Sequence, residues 1–585
     1  MAGPDARPDL RRPPSHSQRV LAAAFGLVAG VYAWLAFSYL PAGVYWTPDI
    51  GLKRIQAANV RWVNGLDLSI AYPGRALDPA LRFLPFRENF FYIHAARIYF
   101  AQPPLIAVLS APWLETLGRW GEPVVALLAG LTCVWLTARL APALDLRPAW
   151  PTALIAGLAT PLMVYSVFLW EHTLGLALAL AAVVAACEGD RAPSVRRAAL
   201  AGLLAGLAGT VRKELLLLLP VLGMFLIWRR CPGRALSAWA GTAALPVLAW
   251  WAFTFAVSGH PVPPEFRIST TPDVNALAYL PATGLGALAD FVFDPRSGWL
   301  GDGLLGAVLA YGLANRGPRT RLREAIQVAA LGAVTIGVLR GLAEPALSGS
   351  AFGLLSASPF LVLGWSEPAA GKTRAMRWLM LGYYALTVAA LGLTTADGPY
   401  LAGLEWGTRY SLLTFALAAP LAARAFGALW ARARSGGPGL AVWLARAHLA
   451  LAGGLLLFSG LWMLTGLSLM RTPAVDAETR DALLQLPQPA VVTNLWWLSA
   501  VAPDLYLQRP LYLIDSDAAL RAWMEAAQAA GLTGYAFVSY VPLNAATLAP
   551  LAPPGVTAQV DRLRPLPNKM VVTDVRLEPL PTPLP

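Results

Sequence analysis

The chain has 585 residues, of which 57% are hydrophobic and 13% charged, with a formal net charge of +12. A soluble globular domain carries roughly 25% charged residues, and the mean hydropathy here is +0.54. These values exclude a disordered chain, a coiled coil and an ordinary soluble enzyme; they fit a polytopic membrane protein with a soluble part.

Residues 1–18 form a basic N-terminus with Arg7, Arg11 and Arg12. The apolar run after Arg19 is longer than the core of a signal peptide, so it is expected to stay as the first span. Apolar runs between charged or Pro/Gly-rich breaks then mark spans at about 19–40, 121–140, 149–165, 167–187, 197–211, 214–229, 235–257, 300–315, 324–342, 346–365, 376–396, 408–429 and 440–469. The prediction is an all-α polytopic bundle of about 13 transmembrane helices, occupying residues 19–470. With the N-terminus in the cytoplasm, the inner connections carry basic clusters such as Arg229, Arg230 and Arg234, or Lys372, Arg374 and Arg377. The short outer connections hold Arg212, Lys213, Arg340 and Arg409. That asymmetry obeys the positive-inside rule. Because each basic cluster flanks a span, topology explains it and no nucleic-acid partner is expected.

Three longer segments then face outward. Loop 41–102 begins with TPDIGLKRIQAANVRWVNG, where Ile50, Ile55, Ala58 and Trp62 share a helical face, so a short amphipathic helix at the interface is expected. LDLSIAYPGRALDP and LRFLPFRENFFYIHAARIYF read as short strands broken at Pro-Gly. The second segment is 258–299. The third is 471–585, where strand patterns (PAVVTNLWWL, LYLID, GYAFVSYV, KMVVTDVRL) alternate with the helical DAALRAWMEAAQAAG. It reads as a small extracytoplasmic α/β domain with a flexible proline-rich end.

Ionisable residues collect at the outer ends of the spans, where charge is expensive unless it has a partner or a wet cavity. They are Asp49; Glu171 and His172 in WEHT; Arg212, Lys213 and Glu214 in VRKE; and Asp397, Glu405, Arg409 and Tyr410 in DGPYLAGLEWGTRY. Carboxylates beside guanidinium and ammonium groups suit a phosphate-bearing substrate: cations for the phosphate, a carboxylate to take a proton. Plainer readings stand beside this one. Asp49 after Thr47-Pro48 also suits a helix cap, Arg212 and Lys213 suit snorkelling anchors, and Glu171-His172 suits a solvated turn. Cys133, Cys187 and Cys231 are too few and too scattered for a disulfide framework, and with five unclustered His they give no transition-metal pattern.

The ordered set of motifs resembles the GT-C-type membrane glycosyltransferases, the superfamily of protein O-mannosyltransferases and aminoarabinose transferases. The set comprises Asp49 in TPDIGLKRIQA after span one, IYFAQPPLIAVLSAPW at the end of the first loop, WEHT, SGHPVPPEF, FDPRSGWLGDG, WGTRYSLL and a soluble outer domain at the end. It covers about residues 1–430. The resemblance implies a transferase that moves a sugar from a polyprenyl-phosphate donor to an acceptor hydroxyl on a lipid, glycan or protein, at the outer face of a bacterial inner or plasma membrane. Asp49 would be the general base. Arg409, with Arg212 or Lys213, would hold the phosphate; Glu171 and His172 would orient the sugar; Glu405 and Tyr410 would complete the substrate site. Relatives often carry two adjacent acids, whereas here Ile50 follows Asp49. One acid therefore carries over; no cofactor is expected, and no divalent metal is indicated. The alternatives are a transporter or flippase of lipid-linked sugars, in which paired repeats are expected, and a non-catalytic membrane scaffold.

Overall fold

Helix boundaries follow the apolar runs closely. The computed structural model of the chain describes residues 15–62, 65–143, 149–188, 193–267, 299–314, 320–343, 353–365, 371–394, 409–435 and 439–579. The first helix, α1 (His16–Trp34), continues through a π-helical turn to Tyr39. It starts at a capping box: Ser15 accepts from the Gln18 backbone, and the Gln18 side chain accepts from the Ser15 N–H. Then come α2 (Pro48–Ala58), a hairpin of β1 (Phe91–His94) and β2 (Arg97–Phe100), and α3 (Leu105–Leu117). The bundle continues with α4 (Val124–Ala143), α5 (Trp150–Leu158), α6 (Leu162–Tyr165), α7 (His172–Cys187), α8 (Val195–Val211), α9 (Leu218–Trp228) and α10 (Gly233–Ser258). Later helices span Trp299–Leu313, Arg321–Ala343, Gly371–Thr394, Leu412–Arg434 and Leu440–Met470.

Among the described residues six helices are long and apolar enough to cross a membrane: His16–Tyr39, Val124–Ala143, Gly233–Ser258, Arg321–Arg340, Arg409–Arg434 and Leu440–Met470. Six falls short of the expected thirteen or so. The other expected spans are helical but shorter, as in α7, interrupted, or less apolar, as in the 24-residue Gly371–Thr394. Two interruptions face each other. The run at 149–165 breaks at Thr160-Pro161, and the run at 346–365 breaks at Ser358-Pro359 between helical turns at Leu354–Ala357 and Pro359–Trp365. Proline cannot donate to the helix ladder and excludes the residue before it from the helical region. The groups freed in this way find partners inside the bundle, as lipid demands. Ser358 donates its hydroxyl to the Ala159 carbonyl at 2.9 Å, Thr160 donates to the Ala156 carbonyl at 2.6 Å, and the Phe360 N–H donates to the Ser459 hydroxyl at 3.3 Å.

The C-terminal domain opens with a helix at Ala477–Leu484 and is built on a five-stranded sheet. Its strands are β3 (Val491–Thr493), β4 (Leu511–Leu513), β5 (Gly534–Ser539), β6 (Val556–Pro565) and β7 (Val571–Pro579), in the order β4-β3-β5-β7-β6. β3 lies parallel to β4 and β5, while β7 is antiparallel to β5 and β6. The helix Asp517–Ala529 lays Leu520, Trp523, Met524 and Ala527 into the core against Tyr512 and Tyr535. β6 was not foreseen. Its Asp561, Arg562 and Arg564 mask the alternation, and it is an edge strand with an irregular register beside Val560. In the first loop the strands at Phe91–Phe100 form as expected. LDLSIAY makes only isolated bridges, Arg61 to Asp67 and Ile70 to Ile98. The proline-rich end, from residue 580, lies outside the described residues, as do 268–298 of the second outer segment.

The amphipathic expectation for α2 is corrected. Ile50, Gly51, Leu52, Lys53, Ile55, Gln56 and Ala57 are all buried, whereas Ala58 is exposed and Trp62 is 62% exposed. A helix buried nearly all round cannot be read from a stripe. The C-terminal domain covers the side that a lone helix would turn to water. Gly51 makes that approach feasible: a Cβ there would lie 1.5 Å from the Ala500 carbonyl oxygen. The neighbouring Tyr45 N–H donates to the Val501 carbonyl at 3.0 Å. Arg54 bonds Glu122 at 2.6 Å and reaches Asp504 of the C-terminal domain at 3.5 Å, and Tyr45 donates to the other Glu122 oxygen at 2.5 Å.

Gly51→Ala tests this clamp. Helix propensity alone would favour alanine by about 1 kcal/mol, but a backbone oxygen cannot yield the missing space, and overpacking costs roughly 1–3 kcal/mol or more. The variant is expected to unfold at a lower temperature, and its C-terminal domain should be released by limited proteolysis sooner than in the wild type.

Candidate functional site

Four chain segments converge at one end of the bundle: the start of α2, the start of α7, the turn after α8, and the turn Arg409–Ser411 before Leu412–Arg434. Asp49 lies in the first turn of α2, yet the helix cap there is Thr47, with no side-chain cap bond. The Asp49 carboxylate turns outward instead. Its Oδ2 receives Arg409 Nη1 at 3.0 Å and its Oδ1 receives Gln102 Nε2 at 3.0 Å. Asp49 and Arg409 are 360 residues apart in sequence.

Arg409 is held flat by its neighbour. Its Nη2 bonds the Tyr410 hydroxyl at 3.0 Å, and its guanidinium lies 4.9 Å from the Tyr410 ring centre. Arg212 approaches the same ring at 5.7 Å. Tyr383 donates to the Tyr410 backbone carbonyl at 3.1 Å and fixes the turn.

Glu171 has a task that the sequence did not suggest. It is buried and bonds Arg212 Nη1 at 2.8 Å, while its other oxygen lies 3.8 Å from Lys53 Nζ. Glu214 bonds Arg212 Nε at 2.7 Å. Arg212 is thus gripped by two carboxylates and aimed, and is not a loose anchor. Glu171 therefore faces two cations. His172, at the first position of α7, packs its ring 4.8 Å from Tyr165 and 5.2 Å from Trp170, and both of its ring nitrogens are buried without a hydrogen-bond partner. His172, Arg212, Glu214, Tyr383, Arg409 and Tyr410 line a cavity of about 220 Å³, mouth included, floored by Leu176, Leu215, Leu412 and Leu413. Lys213 does not share it; its ammonium lies 5.9 Å from the Phe266 ring centre, near the end of α10. Glu405 and Asp397 lie outside the described residues. Among the described residues no group of three His, Cys, Asp or Glu side chains gathers at metal-binding distance.

Sequence reasoning missed Lys53 and Gln102. Lys53 follows Asp49 by four residues on the same helix, the spacing that puts two side chains on one face, and that signal was available. Gln102 carried no signal of its own, because an uncharged amide before Pro-Pro is unremarkable until its partner is known.

The ion-pair network sets a stability expectation. Glu171 is 5% exposed and faces two cations. Removing one member of a buried pair costs about 3 kcal/mol or more, because the remaining charge stays uncompensated. Glu171→Gln should therefore lower the melting temperature measurably, whereas Lys213→Gln should leave it close to wild type.

No protein-family model matches the chain, and no curated protein matches it in sequence. Solved structures do match. ArnT from Cupriavidus metallidurans, crystallised bound to undecaprenyl phosphate, superposes with a TM-score of 0.50 at 13% identity, over 94% of this chain and 97% of that one. The archaeal oligosaccharyltransferase AglB from Archaeoglobus fulgidus, in complex with an inhibitory peptide and a dolichol-phosphate, gives a TM-score of 0.43 at 12% identity, over 88% of this chain and 69% of that one. The apo form of the Archaeoglobus fulgidus oligosaccharyltransferase gives 0.43 at 10% identity, over 89% and 69%. The chain is an integral membrane protein with the fold of ArnT over nearly its whole length.

Proposed function

We propose that the chain is a membrane glycosyltransferase that moves a sugar from a polyprenyl-phosphate donor to an acceptor hydroxyl on the extracytoplasmic face, with Asp49 as general base. The observation that carries this reading is the contact of Asp49 with Arg409 at 3.0 Å, beside a cavity that also holds Arg212. A carboxylate and two guanidinium groups at one cavity are what a phosphate leaving group and a hydroxyl nucleophile need. The fold shared with ArnT, which was solved with undecaprenyl phosphate bound, supports the donor class. The positive-inside pattern of the connections supports a cytoplasmic N-terminus and an outward-facing site.

The proposed chemistry keeps its charge balanced. The donor phosphodiester carries one negative charge and Asp49 another. Asp49 takes the proton of the acceptor hydroxyl, the hydroxyl oxygen bonds to the anomeric carbon with inversion, and the carbon–oxygen bond to the phosphate breaks. The polyprenyl phosphate leaves with two negative charges and Asp49 becomes neutral. Negative charge therefore moves from Asp49 to the phosphate. Arg409, paired with Asp49 in the resting site, is placed to follow it, and Arg212 is pre-aimed by Glu171 and Glu214 to help. The cations need no proton to give, because a phosphate leaves as an anion.

Asp49→Asn in membranes supplied with a labelled polyprenyl-phosphate sugar is expected to lose transfer by about 100-fold or more, the usual size of a general-base contribution, with normal expression. Arg409→Gln is expected to weaken undecaprenyl phosphate binding as well as turnover. A wild-type rate in Asp49→Asn would remove that residue from the reaction. Labelled sugar that crosses the bilayer still attached to its carrier, without being transferred, would favour a flippase.

A further inference from the structure

Asp49 has two oxygens, and their partners line two different cavities. Oδ2 meets Arg409, which lines the cationic cavity described above. Oδ1 meets Gln102, which lines a second cleft of about 370 Å³, mouth included, between the β1–β2 hairpin, α2 and the end of α10. Among the described residues that line this cleft none is charged. Its walls are aromatic and amide: Tyr92, Tyr99, Trp250 and Phe253 with Gln56 and Gln102. Tyr92 and Tyr99 pair across the hairpin and stack at 5.4 Å with their planes 16° apart, and Trp250 and Phe253 stack at 5.6 Å on α10.

The two amides are oriented by their partners. An ionised carboxylate can only accept, so the Gln102 NH₂ must face Asp49 and its carbonyl oxygen must face away. Gln56 donates its NH₂ to the Gln102 backbone carbonyl at 3.4 Å, so its own carbonyl oxygen is likewise left over. Both Oε1 atoms are buried with no hydrogen-bond partner, and Gln56 is only 3% exposed. Buried acceptors without donors are rare in folded proteins and call for an explanation. Here both belong to residues that line one cleft, and Gln102 also bonds the proposed base.

We infer that this cleft is the acceptor subsite, and that it takes a neutral saccharide whose hydroxyls donate to Gln56 Oε1 and Gln102 Oε1 while its ring lies against the aromatic side chains. The inference rests on the glycosyl-transfer reading for its role, but the binding itself does not. An anionic acceptor would find no cation among the described residues that line the cleft. A bare polyprenyl chain would leave both amide oxygens unpaired. A hydroxyl bonded to Gln102 would sit one side chain from Asp49, within reach of the carboxylate that takes its proton. Gln102 is then a positioning residue: it holds Asp49 on one side and the incoming hydroxyl on the other.

The test is saturation-transfer NMR on the full chain in lipid nanodiscs, with octyl β-D-glucopyranoside as the probe and undecaprenyl phosphate as an independent ligand. Saturation is expected at the glucosyl ring protons in the wild type. In Gln56→Leu and in Tyr99→Ala the glucoside should bind about tenfold more weakly, the effect of one hydrogen bond or stacking contact, while undecaprenyl phosphate binds as in the wild type. That retained binding also reports that each variant is folded. Saturation confined to the octyl chain in the wild type would overturn the inference whatever the variants do. So would ring saturation unchanged in both variants, or displacement of the glucoside by a serine-containing peptide or by undecaprenol but not by free glucose oligomers. If the ring signal is present and lost as expected while no sugar transfer is ever detected, the saccharide site stands and the transferase reading fails.

Discussion

The structure depends on the burial of α2. This short helix carries Asp49 at its first turn and Lys53 one turn later, and it is enclosed by the membrane bundle on one side and the C-terminal domain on the other. Enclosing a charged helix is unfavourable unless every charge meets a partner. Each does: Asp49 meets Arg409, Lys53 meets Glu171 and the Pro103 carbonyl, and Arg54 meets Glu122 and Asp504. The absence of a side chain at Gly51 lets the Ala500 carbonyl approach, so one position without a Cβ fixes how closely the two parts of the protein sit. The C-terminal domain is therefore a structural wall of the helix that bears the carboxylate, as well as an appended module.

A second constraint comes from the lipid. Two apolar segments are interrupted by prolines, and interruptions in a bilayer are tolerated only where protein groups take up the freed backbone. Ser358 at one break bonds the Ala159 carbonyl at the other, so the two irregular segments satisfy each other. Their neighbours, α6 and α7, bring Tyr165, Trp170 and His172 into one aromatic group beneath the cationic cavity.

The charged network also shows why proximity alone would misassign roles. Glu171 and Glu214 could pass for catalytic acids by position, yet each has one oxygen bonded to Arg212. Asp49 differs because its partners, Arg409 and Gln102, each belong to a cavity wall. Its carboxylate bonds one residue from each of the two walls.

Hydropathy and charge placement determined the membrane class, the positions of the apolar helices, the grouping of Asp49, Glu171, Arg212 and Arg409 at span ends, and the C-terminal α/β domain. These rest on local quantities: transfer free energy along the chain, basic residues beside spans, and the two-residue and 3.6-residue periods of strands and helices. Glu405 lies outside the described residues, and Lys213, close to Arg212 in sequence, turns to Phe266 instead. The tertiary structure alone decided the Asp49–Arg409 pair, the Glu171–Arg212–Lys53 network, the burial of α2 and the edge strand β6. Those features join residues tens to hundreds of positions apart. A helix enclosed by a domain some 440 residues later, or an amide whose meaning depends on a carboxylate across a loop, leaves no periodic trace in its own neighbourhood; only the packed chain brings the partners together.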